Sequence, residues 1–403
     1  MSAFLASPEQ ILLFGLASVF VYALLSNAIA KTIVTLPMIF TAIGYICSEP
    51  LDALISPEIL NDGTRLLAEI TLVLVLFSDA SRVRFQAFKK TYSLALRMLS
   101  IGLPLTVLFG TVVVYALHPF GGLGVALLTA AVLTPTDAAL GQTVVTGKTV
   151  PEELRNTINV ESGLNDGLAL PFILMGAILA SSGIGGSHVD DLGKVILLQI
   201  TLGPLIGLLL GWGFAKIMSA AQERQLMAEA AGGVAFLTVA FAAYFLSEAA
   251  GGNGFIAAFT AGMVFGNTYK SQIHFISEFM EGMGQLLTIL SFFVFGAVLL
   301  PDGLAHVNWI PVTIAIFCLT VVRMVPIWVS LLGTGLEIRD KLFLGWFGPR
   351  GLASILFTLI IIDEYDFVGE TSLLACVSMT VFLSIIAHGV TAAPMSKRIG
   401  AAR

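Results

Sequence analysis

The stretch Glu161-Ser162-Gly163-Leu164-Asn165-Asp166, followed by the uncharged run at 167–180, decides how this chain is read. Gly, Leu, Ala, Pro, Phe, Ile and Met make up most of that run, and the residues before the motif are more polar, so the motif sits partway into a span. A carboxylate at membrane depth costs several kcal/mol unless something pairs with it. Two of them in one span point to a task, and the simplest is to hold a cation or a proton partway across a bilayer.

Composition leads to the same class. The chain of 403 residues is 57% hydrophobic and 11% charged, with a mean hydropathy of +0.94. An average soluble domain is about 25% charged, so the composition is that of an integral membrane protein. No basic stripe suggests nucleic acid as a partner. Cys47, Cys318 and Cys376 lie in separate apolar runs, which gives neither a disulfide framework nor metal-ligand spacing. Before the first apolar run there is Glu9 and no Lys or Arg, so a basic signal-peptide region is missing, and that run is long enough to be a retained span.

Working outward from the motif, apolar runs predict transmembrane helices at about 10–30, 32–48, 66–83, 93–117, 122–145, 154–180, 192–215, 228–248, 253–267, 276–300, 310–334, 341–362 and 371–392. The fold class expected is an all-α polytopic membrane protein of about 13 transmembrane helices. The Lys and Arg residues test the threading. With the N-terminus outside, 15 of the 20 fall on the cytoplasmic side and only Arg65 and Lys194 fall outside, while Arg97, Arg323 and Arg350 lie within or near spans. That bias follows the positive-inside rule and places the C-terminus in the cytoplasm. The outer loops are acidic, and His188-Val189-Asp190-Asp191 reads as one of them.

The spans divide into two halves. Residues 1–181 form a first inverted repeat, 182–227 hold the linking seventh span, 228–392 form a second inverted repeat and 393–403 make a short cytoplasmic tail. An offset of seven spans inverts one half relative to the other. Span 5 is broken at Thr134-Pro135-Thr136-Asp137, and its counterpart, span 12, is broken at Gly348-Pro349-Arg350-Gly351. Interrupted helices at matching places in inverted halves point to a transporter's binding site.

On a helix of 3.6 residues per turn, Asn159, Ser162 and Asp166 share one stripe of span 6, and Glu161 and Asn165 form a second stripe about 100° away. Asp166 with Ser162 then faces a cation site, and Glu161 enters a structural ion pair. Arg323 in span 11 is its first candidate partner and Arg350 its second. In span 5, Pro135 removes a backbone donor and disfavours helix at Thr134, which frees carbonyls and aims Thr136 and Asp137 into a cavity. These are hard oxygen ligands, suited to a small hard cation. Asp79 in span 3 is placed near the cytoplasmic entrance, either lining it or paired with Arg82 and Arg84. Arg350 supplies fixed positive charge beside the second break. His388 in span 13 reads as a satisfied core histidine, with a pH-sensitive group as the other reading. A deprotonated Asp166 binds a metal ion and a protonated one does not, so proton and cation compete for one carboxylate.

TPTDAAL at 134–140 followed by ESGLNDG at 161–167 resembles the NhaP-type sodium/proton antiporters of the cation:proton antiporter superfamily, to which animal sodium/proton exchangers are more distantly related. The resemblance implies that Asp166 carries the ion and the proton, with Asn165 holding the crossing of the unwound helices. It implies that Thr136, Asp137 and Ser162 border the ion, that Asp79 matches an acidic position of the third span, and that Glu161 with an arginine of span 11 matches a buried ion pair. It further implies electroneutral one-for-one exchange, a homodimer of core and dimerisation bundles, elevator-type movement, and a place in a prokaryotic inner membrane. Two departures stand out: Thr-Asp-Ala replaces Thr-Asp-Pro in span 5, and a proline precedes Arg350. The long regulatory tail of the animal exchangers is absent.

Exchange of Na+ or Li+ for H+ across the membrane is the expected function, with pH homeostasis as its use and no cofactor. K+ for H+ on the same scaffold is the close alternative, and a cation channel or regulator is a different class. An intramembrane enzyme would need a nucleophile, a base or a metal constellation in the spans. No His-Glu-x-x-His, Gly-x-Ser-x-Gly or P-loop pattern occurs.

Overall fold

A computed structural model of the chain describes residues 7–401, except 30–31, 55–56, 86–92, 119–120, 138–139, 141–143, 145–148, 186–188, 229–230 and 270–273. Among the described residues there are helices and no strands. The helices are α1 (Pro8–Ile29), α2 (Leu36–Leu54), α3 (Pro57–Arg82), α4 (Ser93–Leu117), α5 (Gly122–Val132), α6 (Glu152–Gly185) and α7 (Val189–Glu223). They continue with α8 (Ala231–Ala249), α9 (Gly254–Thr268), α10 (His274–Val294, running on to Ala305), α11 (Trp309–Ser330), α12 (Ile338–Trp346), α13 (Leu352–Glu364) and α14 (Glu370–Ala401).

Eight of these, α1, α4, α6, α7, α8, α10, α11 and α14, are long and apolar enough to cross a membrane. α5 and α9 are shorter apolar helices. α5, α12 and α13 are short for a local reason: each ends or begins at one of the two stretches where proline and glycine interrupt the helix. Large apolar side chains such as Leu12, Leu16 and Phe20 on α1 and Leu205, Leu209 and Trp212 on α7 are exposed. A bilayer would cover them, since lipid tails are as apolar as leucine.

Local signals account for the helix ends. Asn253 accepts a hydrogen bond from Ile256 N–H at 3.0 Å and so caps α9, directly after the turn at Gly251. Glu152 and Glu153 occupy the first turn of α6, where negative charge meets the positive end of the helix dipole. α14 runs unbroken to Ala401, so the stretch read from sequence as a tail continues the helix. His188 lies outside the described residues, and α7 has already begun at Val189, so Asp190 and Asp191 belong to a helix instead of a loop.

Interhelical packing falls mainly into two sets. α9 lies against α7, α3 and α8, and α10 lies against α2 and α3. In the second set α5 packs on α6 and α4, and α11 packs on α14, α4 and α12. α3 joins the two sets through its contacts with α13 and α6, and the end of α10 does so through α14. The interrupted stretches after α5 and before α13 belong to the second set and face α3.

Candidate ion site at the crossing of two unwound segments

The site is built on the two interruptions. α5 stops at Val132, and Pro135, Thr136 and Asp137 are not helical. α12 stops at Trp346, and 347–351 is not helical until α13 begins. The two stretches meet. Asp137 N–H donates to Pro349 O at 2.8 Å, Leu352 N–H donates to Asp137 Oδ2 at 2.9 Å, and Ser354 Oγ donates to Val132 O at 2.7 Å. Asp137 therefore acts as a carboxylate cap on α13, satisfying a backbone donor that the helix start leaves free. The glycines on either side of Pro349-Arg350 make this possible. A Cβ at Gly348 would lie 2.4 Å from Arg323 Nε, and one at Gly351 would lie 2.3 Å from Asp137 Oδ2.

α6 crosses the same place and presents two polar stripes. On one, Glu161 is 1% exposed and accepts from Arg323 Nη1 at 2.8 Å; Arg323 is itself 2% exposed. Thr136 Oγ1 donates to Glu161 Oε2 at 3.2 Å, and Asn165 Nδ2 donates both to Glu161 Oε1 at 3.2 Å and to Thr136 Oγ1. Glu161 and Asn165 thus tie α6 to α11 and to the unwound segment after α5. Ser162, on the other stripe, adds a further tie by donating to Thr136 O at 2.7 Å.

That second stripe lines a cavity of about 510 Å³. Asn159, Ser162 and Asp166 of α6 form one wall, Thr136 and Asp137 the crossing side, and Asp79 and Arg82 of α3 the facing wall. Asp166 is 8% exposed, and its Oδ1 is buried with no hydrogen-bond partner among the described residues. An unpaired buried carboxylate oxygen is costly in a native structure and calls for a partner. Asp79 forms no ion pair among the described residues with Arg82 or Arg84, and Arg84 Nη1 turns away to donate to Gly266 O. The Thr136 hydroxyl is engaged with Glu161 and Asn165, which leaves the carboxylates, the Ser162 hydroxyl and the amides of Asn156 and Asn159 as the other oxygen-bearing groups lining the cavity.

Arg350 is fully buried behind the crossing, where its N–H donates to Ser384 Oγ at 2.7 Å and its Nη1 to Gly348 O at 2.6 Å. Its Nε and Nη2, like those of Arg323, have no hydrogen-bond partner among the described residues. Asn156 and Arg82 line the cavity without having been singled out as site residues from the sequence. Asn156 lies three residues before Asn159 on the same helical stripe, so its position was available from the periodicity. Among the described residues no three His, Cys, Asp or Glu come together as a metal-binding group.

A polytopic helical membrane protein with carboxylates gathered where two interrupted helices cross has the architecture of secondary transporters. The chain matches the family described as sodium/hydrogen exchanger, transmembrane, over residues 15–398, and it belongs to that family. It is similar to the K(+)/H(+) antiporter NhaP2 of Shewanella oneidensis, 28% identical over 363 residues that cover 88% of this chain and 61% of that protein. It is also similar to the Na(+)/H(+) antiporter NhaH of Halobacillus dabanensis, 28% identical over 293 residues covering 69% of each. The chain therefore spans 61% of the length of the NhaP2 relative. Its fold is that of the sodium proton antiporter MjNhaP1 of Methanocaldococcus jannaschii, with a TM-score of 0.78 over 98% of both chains at 16% identity.

Proposed function

We propose that the chain is a secondary antiporter that exchanges an alkali cation for H+, with both ions competing for Asp166. The observation that carries this reading is the buried Asp166 carboxylate, whose Oδ1 lacks a protein partner among the described residues and which borders a cavity shared with Asp79, Asp137 and Ser162. A dehydrated alkali ion or a proton satisfies that oxygen, and one excludes the other. Membership of the sodium/hydrogen exchanger family supports the same chemistry. Thr136, Asn165, Asn159, Glu161, Arg323 and Arg350 support the site by holding the crossing in shape.

Na+ or Li+ is the first reading of the cation. K+ is a second, favoured by the similarity to a protein named as a K(+)/H(+) antiporter over 88% of this chain. The finer features follow as parts of the proposal: one-for-one electroneutral exchange, two inverted repeats divided at about residues 181 and 228, a homodimer with elevator-type alternation, and an inner-membrane location with the N-terminus outside. The reading as a channel differs in carrying net current.

Purified protein in liposomes with an entrapped pH-sensitive dye tests the proposal, with Na+, Li+ and K+ added in turn. Dequenching by at least one ion is expected for the wild type, and none for Asp166→Asn that elutes as a monodisperse protein. Exchange retained by Asp166→Asn removes Asp166 from the mechanism.

A further inference from the structure

His388 on α14 lines no part of the cavity, yet it is fully buried and packed against the second interruption. Its ring lies 5.1 Å from the Trp346 ring, centre to centre, and 6.5 Å from that of Phe347. Nε2 stands 3.0 Å from Trp346 O, and Nδ1 stands 3.2 Å from Ser384 Oγ and 3.0 Å from Ser384 O. Ser384 Oγ accepts from Arg350 N–H at 2.7 Å.

Trp346 and Arg350 are four residues apart, so in an uninterrupted helix Arg350 N–H would donate to Trp346 O. That bond is missing here, and both of its ends are taken up by α14. Arg350 N–H goes to Ser384. Trp346 O receives the His388 ring in addition to Gly348 N–H at 2.8 Å. With the proton on Nε2, the ring donates to Trp346 O and its Nδ1 accepts from the Ser384 hydroxyl, which completes an unbroken path from one end of the gap to the other. Ser384 and His388, one helical turn apart, stand in for the lost backbone bond.

The segment they hold is the one that positions Asp137. Pro349 O accepts from Asp137 N–H, and α13, which starts directly after the segment, donates to Asp137 Oδ2 through Leu352 N–H. We infer that His388, acting with Ser384, is a positioning residue for the ion site, a side-chain splint that sets the width of the interrupted stretch and thereby the place of Asp137. This rests on the antiport reading above. It predicts a change in apparent cation affinity without a matching change in turnover, because the splint touches no ion.

The test is the liposome exchange assay on wild type, His388→Leu, His388→Gln and Ser384→Ala, each normalised to folded protein, over a concentration series of whichever cation the wild type exchanges. If the wild type exchanges none of Na+, Li+ and K+, the antiport reading falls and takes this inference with it. With an active wild type, His388→Leu and Ser384→Ala are expected to raise apparent KM about five- to tenfold, the scale of one or two lost hydrogen bonds, with kcat within about twofold. His388→Gln, which keeps a donor for Trp346 O, is expected to bring KM back to within about threefold of wild type. If His388→Leu does not fold, Ser384→Ala decides, since it changes little volume. An unchanged KM in Ser384→Ala, or a loss of kcat alone, overturns the inference.

Discussion

Replacing Glu161 by Gln removes one charge from the interior and little volume. Glu161 and Arg323 are 1% and 2% exposed, and the Arg323 Nη1 to Oε1 distance is 2.8 Å. Arg323 has no other carboxylate within ion-pair distance among the described residues, and its Nε and Nη2 are already without partners there. The variant thus strands a guanidinium in the protein interior, for which about 3–5 kcal/mol is the usual cost. The single amide oxygen of the introduced glutamine, placed where Oε1 lies, would still accept from Asn165 and Arg323 while the bond from Thr136 to Oε2 is lost, so the expected loss is about 3 kcal/mol. With an unfolding entropy of about 2.1 cal/mol/K per residue over 403 residues, that loss lowers the melting temperature by about 3–4 °C. The assay is thermal unfolding in detergent of wild type, Glu161→Gln, Arg323→Met and the double variant. Each single variant is expected to melt well below the wild type, and the double variant to melt above the sum of the two losses, with a coupling of about 2 kcal/mol or more. A melting temperature for Glu161→Gln within about 1 °C of wild type, or strictly additive losses, refutes the reasoning.

Three further outcomes follow. Arg65, on α3, pairs with Glu69 and Asp363, but its side chain is 44% exposed, so Arg65→Ala is expected to change stability by less than about 1 kcal/mol and to shift the melting temperature by about 1 °C at most; a loss as large as that of Glu161→Gln would show that exposure does not govern these pairs. Gly351→Ala sets a methyl group 2.3 Å from Asp137 Oδ2, which must break the Asp137 cap on Leu352 N–H, so exchange by folded protein is expected to fall at least tenfold, and wild-type exchange rates would count against the crossing as the site. Asn165→Asp loses the Nδ2 donor bonds to Thr136 and Glu161 and brings a second carboxylate against Glu161, so a lower melting temperature is expected, and electrical recording on supported membranes then reads the stoichiometry. A transport current in the wild type contradicts one-for-one exchange.

How much of this was legible in the chain depends on how local each cause is. The two interruptions could be read from Pro135 and from Gly348-Pro349, because proline and glycine act on their own backbone. The division of 159–166 into two stripes came from the helical repeat alone. The partner of Glu161 stayed open between Arg323 and Arg350 for a physical reason: 162 residues separate Glu161 from Arg323, and nothing local encodes which arginine arrives. The Asp137 cap on Leu352, across 215 residues, was out of reach for the same reason, although both interruptions were marked. His388 and Ser384 carried no signal of their role. A buried histidine and a serine one turn earlier on an apolar helix are common, and their meaning arises only from the carbonyl and N–H left over at Trp346 and Arg350. The assignment of 190–191 to a loop failed because two aspartates suit the first turn of a helix as well as they suit a loop.

The formal charges around the crossing bear on why one aspartate would suffice. Asp79, Asp137 and Asp166 line the cavity and Glu161 lies behind it, while Arg82 lines the cavity and Arg323 and Arg350 are buried beside it. Asp137 is engaged by Leu352 N–H, and Glu161 by Arg323, Thr136 and Asn165, whereas Asp166 Oδ1 is buried without a partner among the described residues. In a medium where an uncompensated charge is expensive, that carboxylate calls for one positive charge. On the antiport reading proposed above, either a single proton or a single alkali ion supplies it. Asn165 matters here. It stands beside Asp166 and donates to Glu161, a bond that an aspartate in its place could not make and would replace with repulsion. A neutral residue there adds no second carboxylate to be compensated. On the same reading the loaded site is cheaper to move across the bilayer than the empty one, because Asp166 is compensated whether it carries the cation in one direction or the proton in the other. Obligatory exchange, on this view, is a consequence of charge balance in a low-dielectric interior, with no need for the two ions to occupy separate sites.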